Sequence, residues 1–194
     1  MPNSYDTLQK LKDLLADETY GYATAVVTYC ETKSLTLNYI GMAEFRDALT
    51  HVQRAIYATE ESIAQDEINS AYEHIRRAAV ESMQEYVELR YANIRKRLLI
   101  PNYKYYFARY QKPDYKKIKE FEDNIKNNII SARNSKPHKE WQEAIGYFIE
   151  AEKEIDKLDE LLPPYKDLQE RYSNSILIIL GIIFTLFVVL SIFR

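Results

Sequence analysis

The chain has 194 residues and a net charge of −3, with four Gly, six Pro, seventeen Tyr and one cysteine. A single cysteine excludes a disulfide framework and a thiolate metal centre, and three His without paired His/Glu spacing give no zinc site, so neither metal nor cofactor is expected. So little Gly and Pro, and no glycine-rich phosphate loop, point to an all-α protein: one antiparallel helical bundle plus an appendage.

In chain order, Asn3 or Ser4 caps a first helix that runs to about Cys30. Thr32 to Tyr39 is polar and β-branched and reads as a loop, with or without a short helical turn, ended by Gly41. A second helix is predicted over about 42–64. Asp66 caps a long third helix to about Leu99, where Pro101 stops it. Residues 103–114 are irregular or a short helix, a fourth helix covers about 115–132, and Pro137 fits the first turn of a fifth, to about Leu161. Pro163 and Pro164 then break the chain. The expected organisation is a bundle over 1–162, a juxtamembrane linker over 163–172 and a membrane helix over 173–193.

That last segment, "SNSILIILGIIFTLFVVLSIF", has no charge. At about 1.5 Å per residue it reaches roughly 30 Å, enough to cross a bilayer core. The start, "MPNSYDTLQKLKDLL", is polar and amphipathic and does not read as a signal peptide. The expectation is a single-pass tail anchor in the cell inner membrane with the bundle in the cytoplasm. Lys166 and Arg171 before the span, against Arg194 after it, give little orientation bias. Gly181 and Thr185 form a small-xxx-small pair, a candidate oligomerisation notch.

The net charge hides a segregation. Residues 1–89 carry 7 Lys/Arg against 15 Asp/Glu, residues 90–119 carry 10 against 1, and residues 120–194 carry 9 against 13. The basic block also holds six Tyr and Phe107. Cations interleaved with stacking aromatics suit single-stranded RNA, and they suit an anionic leaflet equally. The third account is balance against the acidic first half of the same chain. Candidate residues for RNA or anionic-lipid binding are Arg95, Lys96, Arg97, Lys104, Arg109, Lys116 and Lys117.

On the second helix Met42, Phe45, Leu49, Val52 and Ile56 fall within about 80° of one another and form the predicted core stripe. Asp47, His51 and Arg54 lie opposite. Ile68, Tyr72, Ile75, Ala79 and Met83 form the stripe of the third helix, with His74 and Arg77 away from it. His51-Val-Gln-Arg54-Ala55 is echoed by His74-Ile-Arg-Arg77-Ala78. Asp47 stands four residues before His51, a spacing that lets the carboxylate fix the imidazole's tautomer. Arg77 has Glu73 and Glu81 one turn away on either side. Arg46, Asp47 and His51 are the candidate catalytic residues: RNA cleavage without a metal needs a His to move a proton and a guanidinium to steady the phosphorane. A bundle packed through these stripes turns the polar faces outward, so a composite site would need a second copy.

"EFRDALTHVQRAI", with Arg46, Asp47 and His51, and "EINSAYEHIRRAAVES" after it resemble HEPN domains, helical bundles marked by an Arg, four to six residues and a His. The resemblance covers about residues 40–90 and implies a HEPN-like core over about 40–100. "RNSKPH", Arg133 to His138, has the same spacing but contains Pro137 at a loop-to-helix junction. The resemblance implies dimers with composite ribonuclease sites, and it extends to membrane-tethered proteins of prokaryotic antiviral defence. Three readings follow: an antiviral effector that oligomerises and disturbs the membrane, a membrane-tethered metal-independent endoribonuclease, and a non-enzymatic adaptor. The expected partners are the membrane, further copies of the chain, and RNA or a defence-system protein.

Overall fold

The computed structural model describes residues 5–99, 115–135, 141–162 and 165–192, and these are helical with short joints and contain no strand. The helices are α1 (Tyr5–Leu14), α2 (Tyr22–Ser34), α3 (Tyr39–Tyr57), α4 (Glu61–Leu98), α5 (Tyr115–Ser135), α6 (Trp141–Leu161) and α7 (Tyr165–Ile192), with a π-helical turn over Asp17–Gly21. By contacts the chain forms two units, Met1–Leu89 with Lys126–Ala151 and Arg90–Ile125 with Glu152–Arg194.

The first predicted helix is in fact two. Ala16 takes an extended conformation, and the chain restarts with a π turn in which the Gly21 amide donates to the Ala16 carbonyl at 3.2 Å. A Cβ on Gly21 would lie 3.1 Å from the Asp17 carboxylate, the movable end of that side chain. Nor does Gly41 end a loop. Asn38 caps α3 by accepting from the Gly41 amide at 2.8 Å, and Gly41 is buried in the helix's first turn. Its ideal Cβ would stand 2.9 Å from Val27 Cγ1 and 3.0 Å from Ser82 Oγ, a closeness only glycine permits. The predicted 42–64 helix stops at Tyr57, and α4 begins at Glu61. Ala58 to Glu60 contain neither Gly nor Pro, so nothing in their composition announces the turn.

The inward face of α3 is also not the predicted one. Met42, Leu49 and Ile56 are exposed at 52%, 61% and 45%, while Gly41, Ala48 and Ala55 are buried. Phe45 and Val52 are covered in part, Phe45 by the Tyr20 ring and Val52 by the cluster of Leu11, Ala55 and Ile68. On α4 the buried set includes Ala64, Ala71 and Ala78 as well as Ile68, Ile75, Ala79 and Met83. Small residues thus recur every seven positions on both helices, Gly41/Ala48/Ala55 against Ala64/Ala71/Ala78. Backbones approach closely where side chains are this small, which leaves no space between α3 and α4 for Met42 or Leu49.

The core of the first unit continues through Val26, Val27, Cys30, Val80 and Met83 to Trp141, Ile145 and Phe148, all buried. Trp141 donates its indole N–H to the Tyr72 hydroxyl at 3.0 Å, which satisfies the one polar atom of a fully buried side chain. The second unit has its own core, including Tyr91, Ile94, Ile118, Ile125, Ile155 and Leu158. It also holds Ser173–Ser191 of α7, one helix long and apolar enough to cross a membrane, no part of which is buried.

Candidate functional site

The polar residues of α3 and α4 come together inside one chain, contrary to the outward-facing arrangement expected. His51 Nδ1 on α3 lies 2.5 Å from Glu67 Oε2 on α4, and His74 Nδ1 on α4 lies 2.7 Å from Glu44 Oε2 on α3. The two imidazoles stack with centroids 5.0 Å apart and planes 24° from parallel. Each of the four side chains keeps only about a fifth of its surface exposed. The pairs are reciprocal, each helix giving one His and one Glu seven residues apart. Their residue numbers have the same sum, as positions facing each other across antiparallel helices do.

Arg77 joins the cluster, with Nε 3.3 Å from Glu44 Oε2 and Nη2 2.8 and 3.3 Å from the two ring nitrogens of His74. The closer Arg77 contact, 2.8 Å, is to Nδ1, the same ring nitrogen that faces Glu44, and Nε2 stands farther off at 3.3 Å, so Arg77 and Glu44 converge on one nitrogen of His74. Arg77 Nε is buried without a hydrogen bond among the described residues, so its contact with Glu44 is electrostatic rather than aligned. The local pairing expected for Arg77 goes elsewhere: Arg76 takes Glu73, at 2.7 Å.

Arg46 does not join them. Its side chain is 75% exposed and bonds the neighbouring Asp47 at 2.9 Å. Asp47, expected to orient His51, is thus engaged with Arg46, and Glu67 does the orienting instead. Of the three candidate catalytic residues, only His51 enters the cluster. Glu44 and Glu67 are not among the sequence candidates, and His74 enters there only as the echo of His51, because the partners of all three lie on another helix. The available signal was the seven-residue recurrence of small side chains, which fixes the α3–α4 register and brings these groups into line.

Stacking limits what the cluster can do chemically. Carbon atoms in contact sit about 3.5–4.0 Å apart, so nearly parallel rings with centroids at 5.0 Å leave no space for a phosphate between them. As arranged, the cluster ties α3 to α4. It is not an acid–base pair held open around a substrate.

The described part of the basic segment is engaged within the second unit. Arg90 reaches Glu152 at 3.3 Å and Asp156 at 2.7 Å, and Arg97 pairs with Asp159 and approaches the Leu162 carbonyl at 3.5 Å. Burial pulls the Arg97 guanidinium below its ordinary value. Arg95 lies over the Tyr91 ring at 5.9 Å, and Lys96 bonds Asn93 at 3.1 Å. Arg90, Lys96, Arg97 and Asp159 line a cleft of about 540 Å³. Lys116 and Lys117 are exposed on α5, and Lys104 and Arg109 lie outside the described residues. In α7 the Thr185 hydroxyl donates to the Gly181 carbonyl at 2.8 Å, and both residues are exposed.

In comparisons with family models, curated proteins and solved structures, nothing matches this chain.

Proposed function

We propose that this protein is a membrane-anchored, non-catalytic helical effector, of the kind implied by its resemblance to membrane-tethered HEPN-like proteins of prokaryotic antiviral defence. Its helical units lie on the cytoplasmic side of the inner membrane, and it acts by assembling and straining the bilayer through α7. The observation that carries this reading is the exposed, uncharged stretch Ser173–Ser191. It contains thirteen Ile, Leu, Phe and Val residues, each worth about −0.3 to −0.6 kcal/mol on insertion, or roughly −4 to −8 kcal/mol together. The closed His/Glu cluster and the remoteness of Arg46 support the non-catalytic part.

The test is membrane partition. Arg at both Ile179 and Ile183 adds about 2.5–3.5 kcal/mol each and cancels most of that gain. The wild-type chain should stay with membranes through a high-salt wash and depolarise cells that express it, and the doubly substituted chain should do neither. Wild-type protein released by salt alone would overturn the proposal.

A second reading, a membrane-tethered endoribonuclease, draws on the two imidazoles, each with a carboxylate on Nδ1 and Arg77 alongside. It requires the rings to separate around a phosphodiester. RNA cleavage lost on His74→Ala and kept on Arg46→Ala would favour it over the effector reading.

A further inference from the structure

The turn between α2 and α3 exposes large apolar side chains where turns ordinarily expose polar ones. Leu35 is 90% exposed and Tyr39 75%, and Leu37, Ile40 and Met42 are exposed beside them. Leu35 also takes the left-handed conformation at the C-cap of α2, φ 56°, a position that favours glycine. A leucine there is unfavourable for the backbone and gains nothing from the chain's own core, so its use lies outside the chain.

The polar side chains of the same turn are spent locally. The Ser34 and Thr36 hydroxyls bond each other at 2.8 Å. Asn38 accepts from the Gly41 amide at 2.8 Å, and its own amide donates to Glu31 Oε1 at 2.9 Å. Groups closed in this way lose little on leaving water, whereas the leucines gain. Charge is cleared as well. Residues 32–43 hold one Lys and no Asp or Glu, although residues 1–89 hold 15 acidic side chains. The one cation, Lys33, lies over the Tyr29 ring at 5.5 Å.

We propose that residues 34–40 dip into the headgroup–acyl boundary of the bilayer that α7 crosses, Leu35 and Leu37 on the acyl side and Tyr39 at headgroup level. This rests on the reading of α7 as a membrane span. The observations select a lipid surface as the occupant. The leucines project from a tip rather than along one stripe of a helix, and acyl chains yield around such a point. A protein contact is fixed by polar bonds as well as apolar ones, and here the side-chain oxygens are already engaged. An anionic leaflet repels acidic side chains, which this stretch lacks, and draws Lys33.

The test uses Leu37→Cys in the full chain, labelled with an environment-sensitive dye and reconstituted into vesicles of phosphatidylcholine and phosphatidylglycerol. Cys30 is buried and should stay unlabelled. The dye should emit to the blue of the same dye on Thr59→Cys, in the turn at the other end of α3, about 30 Å away. Lipids with nitroxides on their acyl chains should quench the first dye several-fold more than the second. Adding Leu35→Asp, which an exposed left-handed position tolerates, should return the Leu37 dye to water while the chain still floats with the vesicles. A floating chain whose Leu37 dye stays in water, or whose two dyes are quenched equally, would overturn the contact and leave α7 in the membrane. A blue shift without quenching by the lipid nitroxides would mean that protein covers the turn, and would overturn the contact too. A chain that does not float would overturn both readings.

Discussion

Alanine at Arg46 and at His51 should have opposite consequences from those expected of a catalytic pair. His51→Ala removes the partner of Glu67 Oε2 and one face of the imidazole stack. A hydrogen bond to a charged group contributes about 1.5–3 kcal/mol. Glu67 keeps about a fifth of its side chain in water, so solvent recovers part of this and the expected loss is about 1–2 kcal/mol. For a domain of 150–250 residues that is roughly 2–8 °C in melting temperature. Arg46→Ala deletes an exposed neighbour pair and should change stability by less than about 0.5 kcal/mol. Circular dichroism melts of the full chain in detergent measure both. A His51→Ala/Glu67→Ala cycle should return a coupling near 1 kcal/mol. If both alanine variants melt like the wild type while both abolish RNA cleavage, the cluster is not structural and the argument made for it fails.

Gly41→Ala should lower the urea midpoint: overpacking against Val27 and Ser82 costs about 1–3 kcal/mol, more than the helix-propensity gain of at most about 1. Val27→Ala in the same chain should offset part of this, and a more stable Gly41→Ala would refute the close approach. Tyr91 is pushed up to about 12, first by burial and then by Glu122, whose carboxylate accepts its hydroxyl at 3.4 Å. A folded pKa above the unfolded value means stability that is complete below about pH 10 and lost as pH rises through about 12, up to roughly 2–3 kcal/mol. Ultraviolet titration should show a late phenolate phase that disappears in Tyr91→Phe and moves only part of the way down in Glu122→Gln. Leu35 sits in the left-handed region (φ 56°) and is 90% exposed, so Leu35→Gly should raise the melting temperature by a few degrees, about 0.5–1 kcal/mol.

The helical class, the stops near Leu99 and Leu161, and the apolar α7 segment were legible because each follows from local composition. The inward face of α3 was not. A 3.6-residue pattern shows that a helix has sides, and the largest apolar side chains are ordinarily the buried ones. Here the core is built from Gly41, Ala48 and Ala55, which carry little weight on any hydropathy scale. The polar cluster was hidden for a related reason. Glu44 and His74 are thirty residues apart, and one-turn spacing offers Asp47 to His51 and Glu73 to Arg77 instead. Those local pairs are geometrically allowed. They lose to cross-helix pairs because the close α3–α4 approach withdraws Glu44, His51, Glu67 and His74 from water together, where each needs a partner.

That withdrawal also explains why the interface carries ionisable groups. Gly41 with Ala78, Ala48 with Ala71, and Ala55 with Ala64 share one residue-number sum, one greater than that of the two His–Glu pairs, so ladder and pairs lie in one antiparallel register. A ladder with a period of seven does not distinguish this register from one slipped by two turns, because Ala would still meet Ala with one rung lost. The charged groups do distinguish them. Slipped one way, Glu44 faces Glu67. Slipped the other way, Glu44 faces Glu81 and His51 is level with His74. Either slip sets two carboxylates opposite each other in a half-buried seam, while the observed register gives each carboxylate an imidazole. The net gain from such pairs is small, but the penalty on the alternatives is not, and that difference selects one packing of α3 on α4.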